Sequence, residues 1–496
     1  MVPELSDDSD KVVAIIIMSK KRWQATQLSV GPTRLGKRLK ALFNLAFTIL
    51  FMASLTATHS GLARAQAFCD VRQYGATGDG VTLDTSAINK AIEACGSAGG
   101  GQVLIPPGRY LSGTLDLRSH VTLFLAAGAT LMGTTNLAEY HPPGDPSNLP
   151  FTGDGNWDRG LIVAKNANDI SICGLGAIDG KRVFDPQGEE HMRGPHTIAF
   201  IGCTGFTIRD VTIVDSANYA IFFQVSDDVE VRNVKISGGW DGVHFRGTPS
   251  NWCRNVNIFD CQLFTGDDSV AGCYWDNAVI SGCTLNSSCN GIRLIGPARH
   301  LIVNNCLFYG PGLQPHRTQN RNNNLSGIIL QPGAWGKTEG VLDDILIANN
   351  TMKDVGAPVT IWSKPGNRVG SITVSGLEAT GLSRSAFSVE SWSDVPITNV
   401  VLRNVHLQFV GGGRVEPAVQ VVQPPHVDVR SLPAWAFYAR NVLHLTLEDV
   451  RFSLANNDTR PVIMADTVAC LTLNTVKFPT VPRGREPARY HERRQI

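Results

Sequence analysis

The sequence carries almost no net charge and lacks an apolar run long enough to span a membrane. Its 44 Lys and Arg residues nearly balance 43 Asp and Glu, which leaves a formal charge of +1. Proteins that bind nucleic acid usually carry a clear positive excess, so we expect no such partner. The apolar run at residues 41–55 is broken by Asn44 and is short of the roughly 20 residues that a membrane helix needs. We therefore expect no stable membrane association.

The same run is typical of an export signal. Basic residues precede it, small residues follow it, and Ala65-Gln66-Ala67 has the A-x-A pattern of a cleavage site. We therefore divide the chain into an N-terminal extension with signal peptide (1–67), a β-helix domain (68–478) and a basic C-terminal tail (479–496). After cleavage we expect a secreted or periplasmic monomer.

A six-residue pattern recurs along the domain: apolar, any residue, Asn/Asp/Gly, apolar, any residue, apolar. In its first five rows the fourth position falls at 211, 234, 261, 283 and 306, which gives spacings of 23, 27, 22 and 23 residues. Apolar residues at alternate positions indicate β-strands, and the repeat indicates stacked coils of similar size. We predict an all-β fold, a single-stranded parallel β-helix or solenoid.

The third position of the pattern is Asp, Asn or Gly in all nine rows. These residues tolerate a left-handed backbone, so we predict a sharp bend there. Two later spacings, of 44 and 45 residues, are nearly doubled and leave room for a further coil plus an insertion.

An N-terminal capping helix is predicted after the first strand. Asp84, Thr85 or Ser86 would cap it, and it would run to about Cys95 with an apolar face toward the open end of the coils. Two further segments are predicted loops, 140–158 and 311–324. The second is long for a turn, and we expect it to border a groove.

Several cysteines fall at positions that the repeat explains. Cys261, Cys283 and Cys306 share the fourth position of the pattern, which favours stacked, reduced core residues. A disulfide between Cys69 and Cys95 is a further hypothesis, joining the first strand to the helix.

A column of polar residues carries the functional prediction. Asn218, Asp241, Asp268 and Asn290 each follow the fourth position of their row by seven residues, and Asp267 stands beside Asp268. Equal offsets predict one column on the outside of the β-helix. Repulsion between nearby carboxylates raises a pKa, and a protonated carboxyl beside an ionised one is what glycoside hydrolysis needs. A polar turn and a calcium site remain alternatives.

Other outward positions are candidates for binding substrate. His244 would donate to a sugar hydroxyl or position water, and Arg293 would pair with a substrate carboxylate. Trp240, Trp275 and Trp335 are either sugar-stacking platforms or packing residues.

Three motifs in order resemble a known family. Trp240-Asp241-Gly242, Gly266-Asp267-Asp268 and Cys289-Asn290-Gly291 are similar to the Asn-Thr-Asp, Gly-Asp-Asp and Gly-His-Gly motifs of glycoside hydrolase family 28. That family contains polygalacturonases and rhamnogalacturonases. The resemblance covers about residues 68–410. It implies a right-handed β-helix and hydrolysis of a plant cell-wall or related polysaccharide with inversion. It makes Asp267 the general acid and lets Asp241 and Asp268 activate water.

The chain departs from the family at two motifs. Asn290 replaces the histidine, and Ile329-Leu330-Gln331 replaces the Arg-Ile-Lys whose cations hold the galacturonate carboxylate. A pectin-type glycan other than plain polygalacturonate therefore fits better. His244 and Arg293 are candidate replacements. The remaining substrate-binding candidates are Asn218, Asn290 and Gln331.

Two other function classes remain open. A polysaccharide lyase or epimerase on the same β-helix would need a base beside a substrate carboxylate, often with calcium. A non-catalytic glycan-binding solenoid would need neither. For the hydrolase we predict no metal and no cofactor.

Overall fold

The structure, a computed structural model, describes residues 67–143, 159–413 and 422–479, and the backbone of 488–491. Its strands pair in parallel with the equivalent strands of neighbouring coils, as a parallel β-helix requires. The predicted export signal and most of the 140–158 loop lie outside the described residues, apart from Ala67, with which the first strand begins. In the part that the structure describes, no helix combines the length and the apolar character needed to cross a bilayer.

The strands form three parallel sheets that run the length of the domain, and the last long strands turn from one sheet into the next. The first sheet consists of Ala67–Asp70, Gly101–Ile105, Val121–Leu125, Asn168–Gly174, Thr204–Arg209, Asp227–Arg232, Cys253–Phe259, Trp275–Ser281, Ala298–Asn304, Gly340–Ala348, Asn367–Val369, Ser371–Ser375 and parts of Ile397–Phe409, Phe437–Leu454 and Ile463–Asn474. The second consists of Asp79–Leu83, Gly108–Ser112, Ala129–Gly133, Ala177–Asp179, Thr212–Val214, Lys235–Ser237, Gln262–Thr265, Thr284–Ser287, Leu307–Tyr309, Thr351–Lys353, Glu378–Leu382 and the ends of Ile397–Phe409 and Phe437–Leu454. The third consists of Leu115–Asp116, Gly160–Lys165, His196–Ile201, Ile221–Gln224, Val243–Arg246, Val270–Cys273, Asn290–Leu294, Ser326–Leu330, Val359–Ser363, Phe387–Ser391, the starts of Phe437–Leu454 and Ile463–Asn474, and Ala488–His491.

The predicted bends lie between the first and second sheets. All nine third positions have φ between 50° and 67°, namely Asp210, Asn233, Asp260, Gly282, Asn305, Asn349, Gly376, Asn404 and Asp449. A left-handed residue turns the chain sharply enough for the apolar residues on both sides to point inward. The bends also bond to each other, as Asn233 Nδ2 donates to Asp210 Oδ1 at 2.9 Å. The predicted bends are confirmed.

The predicted further coil in each doubled spacing is wrong. Leu307 pairs directly with Thr351, and Leu402 pairs directly with Leu447, so each doubled spacing contains one coil. The extra residues that the structure describes, at 310–325 and 422–436, form turns that lead into strands of the third sheet. One of these turns reaches back over that sheet, where Val429 packs against Ile329. A spacing counts residues and cannot distinguish a coil from a long turn.

The predicted helix is present at Thr85–Ser97 and packs its apolar face on the first strands. Ala87, Ile88, Ala91, Ile92 and Cys95 are its buried residues. The side chain of Asp84 does not cap this helix. It is buried and accepts hydrogen bonds from the Thr77 and Gly78 amides at 2.8 and 3.1 Å, which ties the preceding loop to the helix start.

The C-terminal tail is not wholly outside the β-helix. The backbone of Ala488–His491 pairs in parallel with residues 463–466, which adds a strand to the third sheet. The β-helix therefore extends past the boundary expected at residue 478.

All eleven cysteines are free thiols, and all but Cys470 are buried. The column of Cys261, Cys283 and Cys306 is reduced, as predicted. The predicted disulfide between Cys69 and Cys95 is wrong. The two thiols are neighbours at the interface of strand and helix, but no covalent bond joins them.

Thiol titration checks this assignment. We expect one fast-reacting thiol in the native protein, from Cys470, because burial shields the other ten. Unfolding without reductant should expose eleven thiols. Nine thiols after unfolding would instead indicate a disulfide between Cys69 and Cys95.

Candidate active site

The structure brings the three predicted aspartates together in the turns that lead into the third sheet. Asp241 precedes the strand Val243–Arg246, and Asp267 and Asp268 precede Val270–Cys273, the next strand of the third sheet. The Gly242 amide donates to the Asp268 carbonyl at 3.0 Å, so Asp241 and Asp268 lie on adjacent coils. The Asp268 amide in turn donates to Asp241 Oδ1 at 3.1 Å. Both side chains are buried, and Asp267 is slightly exposed.

The local sequence fixes how this turn is presented. A Cβ on Gly266 would stand 2.5 Å from the Gly239 carbonyl oxygen and 2.9 Å from that of Pro315, so only glycine fits between them. Thr265 and Ser287 donate their hydroxyls to the Asp267 carbonyl at 2.8 and 2.6 Å. These bonds hold the backbone of Asp267 while its side chain points away from the core.

Two side chains from outside the repeat, a guanidinium and an imidazole, face Asp267. Arg193 Nη2 lies 3.5 Å and His316 Nε2 lies 3.8 Å from its Oδ2. The Arg193 guanidinium is buried, lies 3.8 Å above the ring of Trp240, and pairs with Glu190 at 2.7 Å. Stacking and the ion pair thus keep the cation beside Asp267.

Asp268 is held by residues of the following coil. Asn290 donates to Asp268 Oδ1 through its amide nitrogen Nδ2 at 2.8 Å and through its backbone at 3.1 Å. Arg293 Nε lies 3.3 Å from Asp268 Oδ2, and Arg293 Nη2 donates to Asp428 at 3.1 Å. Asn290 and Arg293 therefore position Asp268, and Arg293 has protein carboxylates on both sides.

His244 is engaged through both of its ring nitrogens. Arg246 Nε donates to His244 Nε2 at 2.7 Å, so Nε2 must accept and the ring proton lies on Nδ1. Nδ1 then donates to Asp241 Oδ2 at 2.6 Å. Burial and the charge of Arg246 lower the pKa of His244 well below its usual range, which agrees with a neutral ring. His244 orients Asp241 and has no ring nitrogen left for a substrate hydroxyl, contrary to expectation.

The three carboxyl groups differ in proton affinity. Burial, followed by the charges of Asp267 and Asp268, raises the pKa of Asp241 well above its usual range. Burial likewise raises the pKa of Asp268 to about 6. Burial acts in the same direction on Asp267, but the charges of Arg193 and Arg293 outweigh it and lower the Asp267 pKa. Asp241 and Asp268 therefore hold a proton more readily than Asp267 does.

Asn218 does not share the column of Asp241. The Ala220 amide donates to the Asp241 carbonyl at 2.9 Å, which puts Tyr219 opposite Asp241 and Asn218 one residue earlier. Asn218 accepts from Arg193 Nη1 at 3.5 Å instead. The turn before Ile221–Gln224 is one residue longer than the equal-offset count assumes, so the prediction is wrong by one position.

Of the predicted stacking platforms, only Trp335 is open to solvent. Trp240 and Trp275 are fully buried and are packing residues. Trp335 is 57% exposed, and its ring centre lies 5.5 Å from the Arg293 guanidinium carbon. Gln331 follows the strand Ser326–Leu330 and is fully buried, with neither side-chain amide atom hydrogen bonded within the described residues.

The spacing of three donor atoms at this site would fit a metal ion, but the protonated thiol and the nearby guanidinium groups do not favour one. Donor atoms of Asp267, Asp268 and Cys289 lie within 4.8 Å of one another. Burial and the charge of Asp268 raise the pKa of the Cys289 thiol well above its usual range, so it is not a thiolate. Arg193 and Arg293 already lie against Asp267 and Asp268, at 3.5 and 3.3 Å.

Sequence reasoning missed Arg193, Tyr219 and Asp428. Arg193 and Asp428 lie in turns outside the repeat, so no offset predicts them. Tyr219 stacks on His244 with ring centres 4.3 Å apart, and only the register of the coils reveals this contact.

Comparisons with known proteins agree with the fold. A family model described as "Rhamnogalacturonase A/epimerase, pectate lyase-like" matches residues 68–312. A probable polygalacturonase of Vitis vinifera is 29% identical over 56% of this chain and 60% of its own length. An exo-poly-alpha-D-galacturonosidase of Dickeya chrysanthemi is 30% identical over 40% of this chain and 41% of its own length. The chain thus spans less than two thirds of these two relatives.

A solved structure supports the architecture. The exopolygalacturonase of Thermotoga maritima matches with a TM-score of 0.59 at 18% identity, over 78% of this chain and 91% of that one. The predicted right-handed parallel β-helix is confirmed.

Proposed function

Because this chain is a divergent glycoside hydrolase family 28-like protein, we propose that it is an exported enzyme that hydrolyses a pectin-type polysaccharide with inversion. The observation that carries the proposal is the meeting of Asp241, Asp267 and Asp268 from two adjacent coils. The Asp268 amide donates to Asp241 Oδ1, and the raised pKa of Asp268, about 6, beside the lowered pKa of Asp267 favours a protonated carboxyl next to an ionised one. Inverting hydrolysis uses one group to protonate the leaving oxygen and the other to activate water.

The roles follow from the resemblance and from the contacts. Asp267, the most exposed of the three, is the general acid, and Asp241 and Asp268 hold and activate the water. Asp267 must first take up the proton that its neighbours hold. A carboxylate oxygen of Asp267 lies within 4.8 Å of a carboxylate oxygen of Asp268. One sugar hydroxyl can bridge two oxygens at that distance. The raised pKa of Asp268 makes it the second candidate for the acid.

The substrate surface extends along the outer side of the third sheet. Trp335 offers an exposed ring on which a sugar stacks, whereas Gln331 is fully buried and presents no atom to this surface. His244, Asn290 and Arg293 position the carboxylates and do not bind the substrate themselves. Each makes a hydrogen bond or an ion pair with Asp241 or Asp268.

Digestion of a glycan panel tests the proposal. We expect hydrolysis of at least one pectin-type glycan, with inversion of the anomeric configuration and products heavier by one water than the corresponding elimination products. The measurement is mass analysis with nuclear magnetic resonance of the freshly formed anomer. Unsaturated products absorbing in the ultraviolet would indicate a lyase. Binding without turnover on every glycan would indicate a carbohydrate-binding solenoid.

A further inference from the structure

A pocket of about 190 Å³ lies next to the candidate acid. Three separate segments form it: the turn after strand Ala177–Asp179, the turn before Asp241, and the loop 311–324. The side chains that line it are those of Arg182, Gln314, His316, Arg317 and Asn320. No acidic side chain is among the described residues that line it. A pocket with two guanidinium groups and no carboxylate of its own suits an anion.

Arg317 supplies the less compensated of the two charges. Its Nη1 atom is buried and has no hydrogen-bond partner among the described residues. Burial, followed by the charge of Arg182, lowers the pKa of Arg317, so its surroundings on balance disfavour the charged form. Its guanidinium carbon lies 5.9 Å from the ring centre of Trp240, which limits where it can move.

Arg182 is oriented but remains accessible. Asp215 accepts from its Nε and Nη2 at 2.7 and 2.6 Å, and the Arg182 side chain is still 46% exposed. Gly238 faces it with a φ of 85°, and a Cβ there would stand 2.7 Å from Asp215 Oδ1 and 3.3 Å from Arg182 Nη2. Glycine therefore leaves room for a ligand atom beside this guanidinium.

The position of the pocket gives its place on the substrate. His316 lines the pocket, and its Nε2 lies 3.8 Å from Asp267 Oδ2. A general acid contacts the oxygen that leaves with the departing sugar. A sugar ring in this pocket is therefore on the leaving-group side of the cleaved bond.

We infer that this pocket binds the carboxylate of an acidic sugar on the leaving-group side, with Arg182 and Arg317 as its cations. The inference rests on the proposed function, since Asp267 defines that side. It assigns acid recognition to a different wall from the 329–331 position, where the chain has Ile329, Leu330 and Gln331. It also replaces Arg293 as the expected partner of a substrate carboxylate, because Asp268 and Asp428 already pair with Arg293.

The test compares an acidic ligand with its neutral counterpart. The probes are an α-1,4-linked galacturonate pentamer and the same pentamer with its carboxyl groups reduced to alcohols. Binding to the full chain is measured by calorimetry in the Asp267→Asn background, so that no turnover disturbs it. Arg317→Gln is expected to weaken binding of the acidic pentamer about 10- to 100-fold and to leave the reduced pentamer unchanged, as for loss of a charge-assisted pair. Arg182→Gln should act in the same direction, and Arg317→Lys should retain part of the affinity.

The control is Arg254→Gln, which removes an exposed guanidinium paired with Asp227 at 3.6 Å, outside the pocket. It should change neither affinity. Equal losses on both pentamers, or no loss from either pocket variant in a protein that melts like its parent, would overturn the inference. Failure of the proposed function gives a different result, in which selective binding persists but the protein with Asp267 cleaves no glycan.

Discussion

Asp267→Asn is expected to lower kcat on a cleaved glycan by about 10²- to 10⁴-fold, the usual contribution of a positioned general acid. Asparagine keeps the shape of the side chain but cannot give a proton to the leaving oxygen. The loss should be much smaller on an aryl glycoside whose leaving group departs without a proton. Steady-state rates on the two substrate types measure both effects.

The matched control for this substitution is Asp228→Asn. Asp228 is exposed on the first sheet and accepts from Asn255 Nδ2 at 2.7 Å, a bond that asparagine Oδ1 can keep. Its activity should equal that of the unmodified protein. If Asp267→Asn kept most of its activity while Asp268→Asn lost it, the acid would be Asp268. Equal losses on both substrate types would remove the proton-donor role from Asp267.

Asp268→Asn is expected to abolish hydrolysis and at the same time to stabilise the protein near neutral pH. The folded-state pKa of Asp268 is about 6, above its usual value of 3.8. Between these values the folded protein binds more protons than the unfolded chain, so its stability falls as the pH rises. Above pH 6 Asp268 is ionised in the folded protein, and the full cost of ionising it there is subtracted from the free energy of unfolding. A pKa shift of about two units corresponds to at most about 3 kcal/mol.

The amide substitution removes this penalty, because it carries no charge at any pH. It keeps an oxygen acceptor for Asn290, and Arg293 keeps Asp428 as its partner. Urea unfolding at pH 7.5 should show a gain of about 1–3 kcal/mol relative to the parent, and at pH 4 the gain should largely vanish. Loss of stability at pH 7.5, or an identical change at both pH values, would show that the pairing with Arg293 outweighs the repulsion.

The repeat could be predicted from the sequence because each coil has the same residue types at the same positions. Asn, Asp or Gly at the third position creates the same left-handed bend nine times, and apolar residues on both sides turn inward. The N-terminal helix was readable for a similar reason, since its apolar face has a helical period. The adjacency of Asp241 and Asp268 followed from equal offsets in two rows.

The lengths of individual turns, and therefore the register of the strands that follow them, could not be predicted from the sequence. One residue more in a single turn placed Tyr219, in place of Asn218, opposite Asp241. The doubled spacings contained long turns and no further coil, because chain length alone does not reveal where a segment leaves the stack. Those long turns brought His316 and Asp428 to the site, and the separate turn before His196–Ile201 brought Arg193.

The sequence by itself determined the β-helix, its bends and the meeting of three carboxylates on one wall, since each depends on residues at fixed short spacing. Only the tertiary structure decided how the proton affinities of the three carboxyl groups differ, because that depends on burial and on cations from distant turns. It also decided that Arg293 faces protein carboxylates and that Arg182 and Arg317 line a pocket. Both outcomes require segments far apart in the chain to come together in space.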